Sequence, residues 1–363
     1  MDSGTPKYME LVLWIKEQLR LGKLQVGQKM YSENQLSEMF KMSRQTVRHA
    51  IEILEYEGVV CRIKGSGTYI NDQRAMDEAA KNRNRVSVVT TYVDSYIFPR
   101  TIKGIENILS DNGYAMQISF TNNNRNRERE ILLDILEKDE IGGLICEPTK
   151  SGIPNPNCML YKEILKKGIP IVFINSFYPE LNIPHVSIND MMAGKDMTEY
   201  LLSKGHRKIG GVFKADDGQG HRRYQGFVTA LNDAGIDCED SNVIWIDTED
   251  LKDLNLCKDK IKARLKECTA VACYNDEVAL GVMDILMKAN RRVPDDISIM
   301  GIDDSELAVI GDVEITSIQH PMEKLGEKTA NNLIQLIKNR YFDANYEFNI
   351  NIVERQSVKN INN

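Results

Sequence analysis

The chain has 363 residues, enough at roughly 100–200 residues per domain for two or three domains with sizeable cores. Its 42% apolar and 27% charged residues and net charge of −7 are ordinary for a globular protein and exclude a disordered or collagen-like chain. Apolar stretches such as Ile169 to Ile174 fall far short of the ~18–20 residues that span a bilayer, and no basic-then-apolar leader opens the sequence, so a cytoplasmic protein without a membrane partner is expected.

Charge is unevenly placed. Residues 1–85 carry 14 Lys/Arg against 11 Asp/Glu, leaving 32 against 42 in the remainder, so a basic head precedes an acidic body. Phosphate affinity follows local positive charge, and this asymmetry hints at a nucleic-acid module.

Tyr8, Leu11, Val12, Ile15 and Leu19 share one face of a first helix that stops at Gly22. Ser32-Glu33-Asn34-Gln35 has the form of a capping box and opens a short second helix with Leu36, Met39 and Phe40 on its apolar side. Ser43 caps a third helix with Val47, Ala50, Ile51 and Leu54 inward, Arg44, Gln45, Arg48 and His49 outward, and Gly58 at its end. Val59–Lys64, the tip Gly65-Ser66-Gly67 and Thr68-Tyr69-Ile70 predict a hairpin, completing a winged helix-turn-helix. Arg can bond guanine bidentately and Gln adenine, which suits a helix entering a major groove, while Arg62 and Lys64 place positive charge beside the hairpin. An exposed basic face is also compatible with plain solvation, and His49 is expected to be a surface residue.

Residues 5–71 resemble the DNA-binding domain of GntR-type transcription regulators, on Ser32-Glu33, Ser43-Arg44-Gln45-Thr46-Val47-Arg48, Gly58 and Gly65-Ser66-Gly67-Thr68-Tyr69. The resemblance implies that Arg44, Thr46 and Arg48 contact bases and phosphates, that Ser32 and Ser43 position backbone, and that Lys64, Gly65 and Gly67 form the wing tip. Lys7, Glu33, Gln45 and Arg62 complete the candidate DNA-binding set. Met30-Tyr31 stands where that family usually has Leu-Pro.

Residues 1–71 are thus expected to form the DNA-binding domain, 72–85 a polar linker and 86–363 a two-lobed domain for effector binding and dimerisation. In the body, apolar strands (Val86–Thr91, Ala115–Phe120, Gly143–Cys146, Ile169–Ile174, then Ile209–Phe213, Val243–Ile246, Ala270–Cys273, Ile297–Ile302) alternate with helical segments. The helix Met322–Ile337 falls with the second series. The fold class is α/β, two lobes of doubly wound parallel sheet. Ligands of such sheets sit past the C-terminal strand ends, and the residues there are unusually polar, as a polyhydroxylated ligand requires. Asp or Asn in these places also caps helices, and Asp276 and Asp304 are expected as caps. Seven cysteines without a Cys-x-x-Cys pair and five scattered histidines suggest reduced thiols, no disulfide framework and no metal site. No phosphate-loop, nucleophile-elbow or metallohydrolase motif is present, so neither a cofactor nor catalysis is expected.

Residues 86–357 resemble the effector domain of LacI/GalR-type repressors, which has the periplasmic sugar-binding fold. More closely still they resemble arabinose-responsive repressors that join this body to a GntR-type head. The carrying residues are Thr90-Thr91-Tyr92, Tyr96-Ile97-Phe98-Pro99, Glu147-Pro148-Thr149-Lys150, Phe213–Asp217, Cys273–Glu277 and Thr316–Pro321. The resemblance implies effector contacts from Tyr96, Phe98, Glu147, Lys214, Arg223, Asn275, Asp303 and His320. It further implies a homodimeric repressor of sugar-utilisation genes that binds double-stranded operator DNA and is released by a small sugar, L-arabinose. A repressor answering another pentose or a hexose, a sugar-binding transport component and a sugar-acting enzyme fused to a regulator stay open as alternatives.

Overall fold

The structure, a computed structural model, describes residues 6–25, 27–56, 58–63, 66–71, 83–93, 96–138 and 140–362. Leu11, Val12 and Ile15 form the buried face of α1 (Lys7–Arg20). The predicted capping box opens α2 (Glu33–Phe40): the Gln35 amide donates to Ser32 Oγ at 3.3 Å and the Ser32 amide to Gln35 Oε1 at 2.9 Å. Lys41, left-handed at φ 50°, turns the chain into α3 (Arg44–Tyr56), whose Val47, Ala50, Ile51 and Leu54 close the core of the head. Strands β1 (Val60–Ile63) and β2 (Gly67–Ile70) pair antiparallel as the wing. Met30 is 4% exposed and its amide donates to the Thr68 carbonyl at 2.8 Å, so Met30-Tyr31 ties the entry of α2 to the wing. Of the predicted linker, residues 72–82 lie outside the described residues, and Arg85 already belongs to a strand.

The body continues with β3 (Arg85–Thr90), α4 (Phe98–Asp111), β4 (Ala115–Phe120), α5 (Arg125–Lys138), β5 (Gly143–Cys146), α6 (Cys158–Lys166), β6 (Ile171–Ile174) and β7 (His185–Ile188). Then follow α7 (Asp190–Ser203), β8 (Ile209–Lys214), α8 (Gly218–Asp233), β9 (Val243–Ile246), α9 (Thr248–Lys252), α10 (Lys258–Arg264), β10 (Ala270–Cys273), α11 (Asp276–Lys288), β11 (Ser298–Asp303) and β12 (Thr316–Gln319). Helix α12 (Met322–Lys338), β13 (Tyr346–Phe348) and β14 (Ile352–Val353) complete the chain. The strand orders are β13-β7-β6-β5-β3-β4 in the first lobe and β14-β12-β11-β10-β8-β9 in the second, all pairs parallel except β12 with β14.

The inner strands of each sheet are buried on both faces, which explains their apolar runs, whereas the edge strands β4 and β13 are partly exposed. Val86, Val88, Ile145 and Val172 face α4 and α12, while Val89, Leu144, Cys146, Ile171 and Phe173 face α5 and α6. This corrects the sequence reading of Met322–Ile337: Leu325, Leu333 and Ile337 of α12 pack in the first lobe rather than the second. The chain crosses between lobes three times, after β7, after β12 and after β13, and the short strands β7, β12, β13 and β14 at these crossings were not predicted.

Within the second lobe α7 and α8 cross at two glycines. A Cβ on Gly194 would stand 1.9 Å from the Arg223 carbonyl oxygen, and one on Gly226 2.0 Å from that of Met191. We expect Gly194→Ala to lower stability by about 1–3 kcal/mol, because backbone overlap outweighs the ~1 kcal/mol of helix propensity gained. Urea denaturation measures this, and a variant at least as stable as the parent contradicts the tight crossing.

Candidate effector cavity and nucleic-acid interface

The C-terminal ends of the two sheets face each other across a cavity of about 440 Å³. Seven of the eight predicted effector residues line it: Tyr96, Phe98, Glu147, Lys214, Arg223, Asn275 and Asp303. Phe98, at the start of α4, meets Tyr92 edge to face at 5.6 Å, giving an aromatic wall on which the C–H face of a sugar can stack.

Arg223 is 1% exposed, with Nε donating to Asp190 Oδ1 at 2.8 Å, Nη1 to the Tyr274 carbonyl at 2.6 Å, and Nη2 lying 3.7 Å from Asp303 Oδ1. Burial opposes its charge, but Asp190 and Asp303 outweigh burial and hold its pKa above the usual arginine value. Tyr96, at φ 58°, reaches from the first lobe to donate its hydroxyl to Asp303 Oδ2 at 2.6 Å. Lys214 Nζ donates to Asp217 Oδ2 at 2.7 Å and lies 3.6 Å from Asp216, and these partners overcome desolvation and keep the amine protonated. Asp217 occupies the N-cap position of α8 without capping it, its carboxylate taken instead by Lys214 and, at 2.9 Å, the Tyr274 hydroxyl. Glu147 accepts from the Thr91 amide and from Asn175 Nδ2, both at 2.8 Å, and from the Thr91 hydroxyl, while burial still pushes its pKa up. Such fixed donors and acceptors suit a neutral polyhydroxylated ligand.

The lobes are closed upon one another. Besides Tyr96 with Asp303, Asn123 Nδ2 donates to Thr248 Oγ1 at 2.7 Å, Lys150 Nζ lies 3.2 Å from Asp216 Oδ2, and the Gly218 amide donates to Ser151 Oγ at 3.0 Å.

His320 departs from the predicted set. It sits in the crossing between β12 and α12, 4% exposed, and is absent from the cavity lining. Its ring nitrogens have no hydrogen-bond partner among the described residues, and burial with the nearby Arg223 pushes its pKa down to about 3. Both expected caps are also corrected. Asn275, not Asp276, caps α11 by accepting from the Val278 amide at 2.9 Å. Asp276 accepts instead from the Ser305 amide at 2.7 Å and from the hydroxyls of Ser305 and Ser317. Asp304 pairs with Arg355. Ser151, Ser176, Gln219 and Glu277 also line the cavity and were not singled out in the sequence, where small or isolated polar residues after a strand carry no distinct signal.

In the head, Ser43 Oγ accepts from the Thr46 amide at 3.1 Å and pairs with the Thr46 hydroxyl at 2.8 Å, while Arg44, Gln45 and Arg48 stay exposed on α3. Glu33 reaches across from α2 to Arg48 at 3.1 Å, and Arg62 lies 3.4 Å from Glu55. Lys7 is exposed at the start of α1, and Ser32 serves as the cap of α2. Lys64 and Gly65 lie outside the described residues. Gly67 adopts φ 127° against the side chain of Lys29, a basic residue of the wing base that the sequence reading passed over because only the fold brings it there. His49, expected at the surface, is exposed and packs edge-on to Tyr8 at 4.7 Å.

Comparison with known proteins agrees with this geometry. Residues 7–70 match the bacterial regulatory proteins of the gntR family, and residues 198–358 a periplasmic binding protein-like domain. The arabinose metabolism transcriptional repressor of Halalkalibacterium halodurans is 39% identical over 92% of this chain and 89% of its own. That of Geobacillus stearothermophilus is 35% identical over 99% of this chain and 100% of its own. The chain belongs to this repressor family. It is a sugar-responsive DNA-binding transcriptional repressor and not an enzyme. Among solved structures, CcpA of Lactococcus lactis superposes with a TM-score of 0.67 at 22% identity, over 76% of this chain and 99% of that one, a likeness of fold. Among the described residues of the repressor no helix is long and apolar enough to cross a membrane.

Burial and the neighbouring Asp303 carboxylate push Asp276 up to about 7, and burial pushes Asp303 up to about 6. An unfolded aspartate titrates near about 3.9, so between about pH 4 and 7 the folded chain holds protons that the unfolded chain has released. The stability these groups contribute is therefore full below that window and is lost as pH rises through it. Asp276→Asn should flatten this fall, read as the urea midpoint against pH, whereas an unchanged slope places the proton elsewhere.

Proposed function

We propose that the repressor works in the cytoplasm as a homodimer that grips a roughly palindromic operator with two winged heads, residues 1–71, each joined through residues 72–85 to its body. L-arabinose, bound in the cavity, would hold the lobes together and weaken the grip on DNA. The observation that carries this reading is the cavity between the lobes, lined by charged, amide and aromatic side chains, with Arg223, Asp303 and Tyr96 joining both lobes at one point, in a chain whose third helix exposes Arg44, Gln45 and Arg48. The two relatives spanning nearly the whole chain both bear arabinose metabolism in their names. A transport component would leave the head without a use. For the dimer, Val309 and Ile310 of the second lobe stand 48% and 64% exposed, apolar side chains suited to a self-complementary contact.

Allosteric coupling is typically ~1–3 kcal/mol, and by linkage operator DNA must weaken sugar binding by the factor with which sugar weakens operator binding. Titration calorimetry of L-arabinose with and without operator should show this difference, and identical affinities would rule the scheme out. For the DNA side, Arg48→Ala should weaken operator binding by about 1–3 kcal/mol in a gel-shift assay at fixed salt, and undiminished affinity would remove Arg48 from the interface.

A further inference from the structure

Arg222 makes a joint between the lobes that differs in kind from the polar ones described above. Its guanidinium carbon stands 3.8 Å from the centre of the Phe177 ring. Arg222 belongs to α8 of the second lobe, whereas Phe177 follows β6 and packs against the core of the first. The same ring stacks on the His185 imidazole, with centroids 4.0 Å apart and planes 27° from parallel. One face of a phenyl ring has no room for both groups at such distances, so guanidinium and imidazole take opposite faces and Phe177 lies between them. His185 is itself fixed: it opens β7, its amide donates to Asn345 Oδ1 at 3.2 Å, and Nε2 lies 3.5 Å from Glu347 Oε1 of β13. Burial pulls its pKa down, so at neutral pH the ring is uncharged and backs Phe177 without repelling Arg222.

The stack takes up a charge that no ion pair does. Arg222 is half-buried, and among the described residues no carboxylate pairs with it, whereas its neighbour Arg223 has Asp190 at 2.8 Å. Burial pushes the Arg222 pKa down, and Asp190 and Glu347 oppose this without pairing with it. A planar, weakly hydrated guanidinium in such a place is stabilised by the negative face of an aromatic ring. None of the three side chains lines the cavity, yet each half of the joint is continuous with it: Ser176, just before Phe177, and Arg223, just after Arg222, are lining residues.

We propose that Arg222, Phe177 and His185 form a clasp that holds the lobes closed and so raises effector affinity without touching the effector. This rests on the reading in which L-arabinose binds the closed form. Parting the lobes means parting Arg222 from Phe177, so the clasp adds to the population of the closed form, and apparent affinity rises with that population. The test is calorimetry with L-arabinose and a gel shift with operator, on the full chain and on Arg222→Gln, Phe177→Leu, the double variant and Arg222→Lys. A desolvated cation–ring contact is worth up to about thirtyfold in an equilibrium constant. Each single substitution should therefore weaken arabinose binding about three- to thirtyfold, the double variant should be little weaker than the singles, and Arg222→Lys should restore part of the loss. Operator binding without sugar should be as tight as in the parent or tighter, since losing a closing contact cannot favour the form released from DNA. Arabinose affinity within about twofold of the parent in Arg222→Gln, losses that multiply in the double variant, or weaker operator binding without sugar overturn the clasp and leave the L-arabinose reading standing. A parent chain that binds no arabinose overturns that reading and, with it, the clasp.

Discussion

Arg223 is the group around which the effector domain is arranged. A guanidinium so deeply buried is tolerable only with its charge matched and its donors used, and here Asp190, Asp303 and the Tyr274 carbonyl do this together. Each comes from a different place: Asp190 from the start of α7, Tyr274 from beyond β10, Asp303 from the end of β11. The close crossing of α7 and α8 at Gly194 and Gly226 brings Asp190 within reach of Arg223, so a packing detail of two helices decides the electrostatics of the cavity floor. Asp303 then has one oxygen near Arg223 and the other taken by Tyr96, which makes it one of the points at which the two lobes meet at the cavity.

This arrangement explains how a small neutral ligand could act on a distant head. In the proposed scheme the three crossings between lobes are the places where the halves would turn, and contacts such as Lys150 with Asp216 and Asn123 with Thr248 join them in the closed arrangement. A ligand can shift this balance only by binding one state better than the other, and groups drawn from both lobes around one cavity supply such a difference. In the head, Glu33 of α2 pairs with Arg48 of α3 at the exposed face of the helix-turn-helix.

The polar residues after the strands were legible because a buried apolar run followed abruptly by Asp, Asn, Lys or Glu has few readings. Their individual roles were less so. Asp217 sits where a cap belongs and serves Lys214 and Tyr274, whereas Asn275 both caps α11 and lines the cavity. Asp276 looked like a cap and is a buried acceptor for Ser305 and Ser317. Capping and lining use the same residue types at the same offsets, and only the direction of the side chain separates them.

Local pattern fixed the winged head, the alternation of strands and helices, and the set of groups at the sheet ends, because helical and extended periods are properties of a few consecutive residues. Which lobe a helix joins is decided elsewhere. The apolar face of α12 fits the second lobe by order along the chain and packs in the first by contact with α4, and His320 is drawn into a crossing by the same event. Those outcomes depend on pairing between segments far apart in sequence, whose energies arise from surfaces that exist only once the sheets have formed. The lateral order of β11, β10, β8 and β9 belongs with them, since no run of neighbouring residues encodes it.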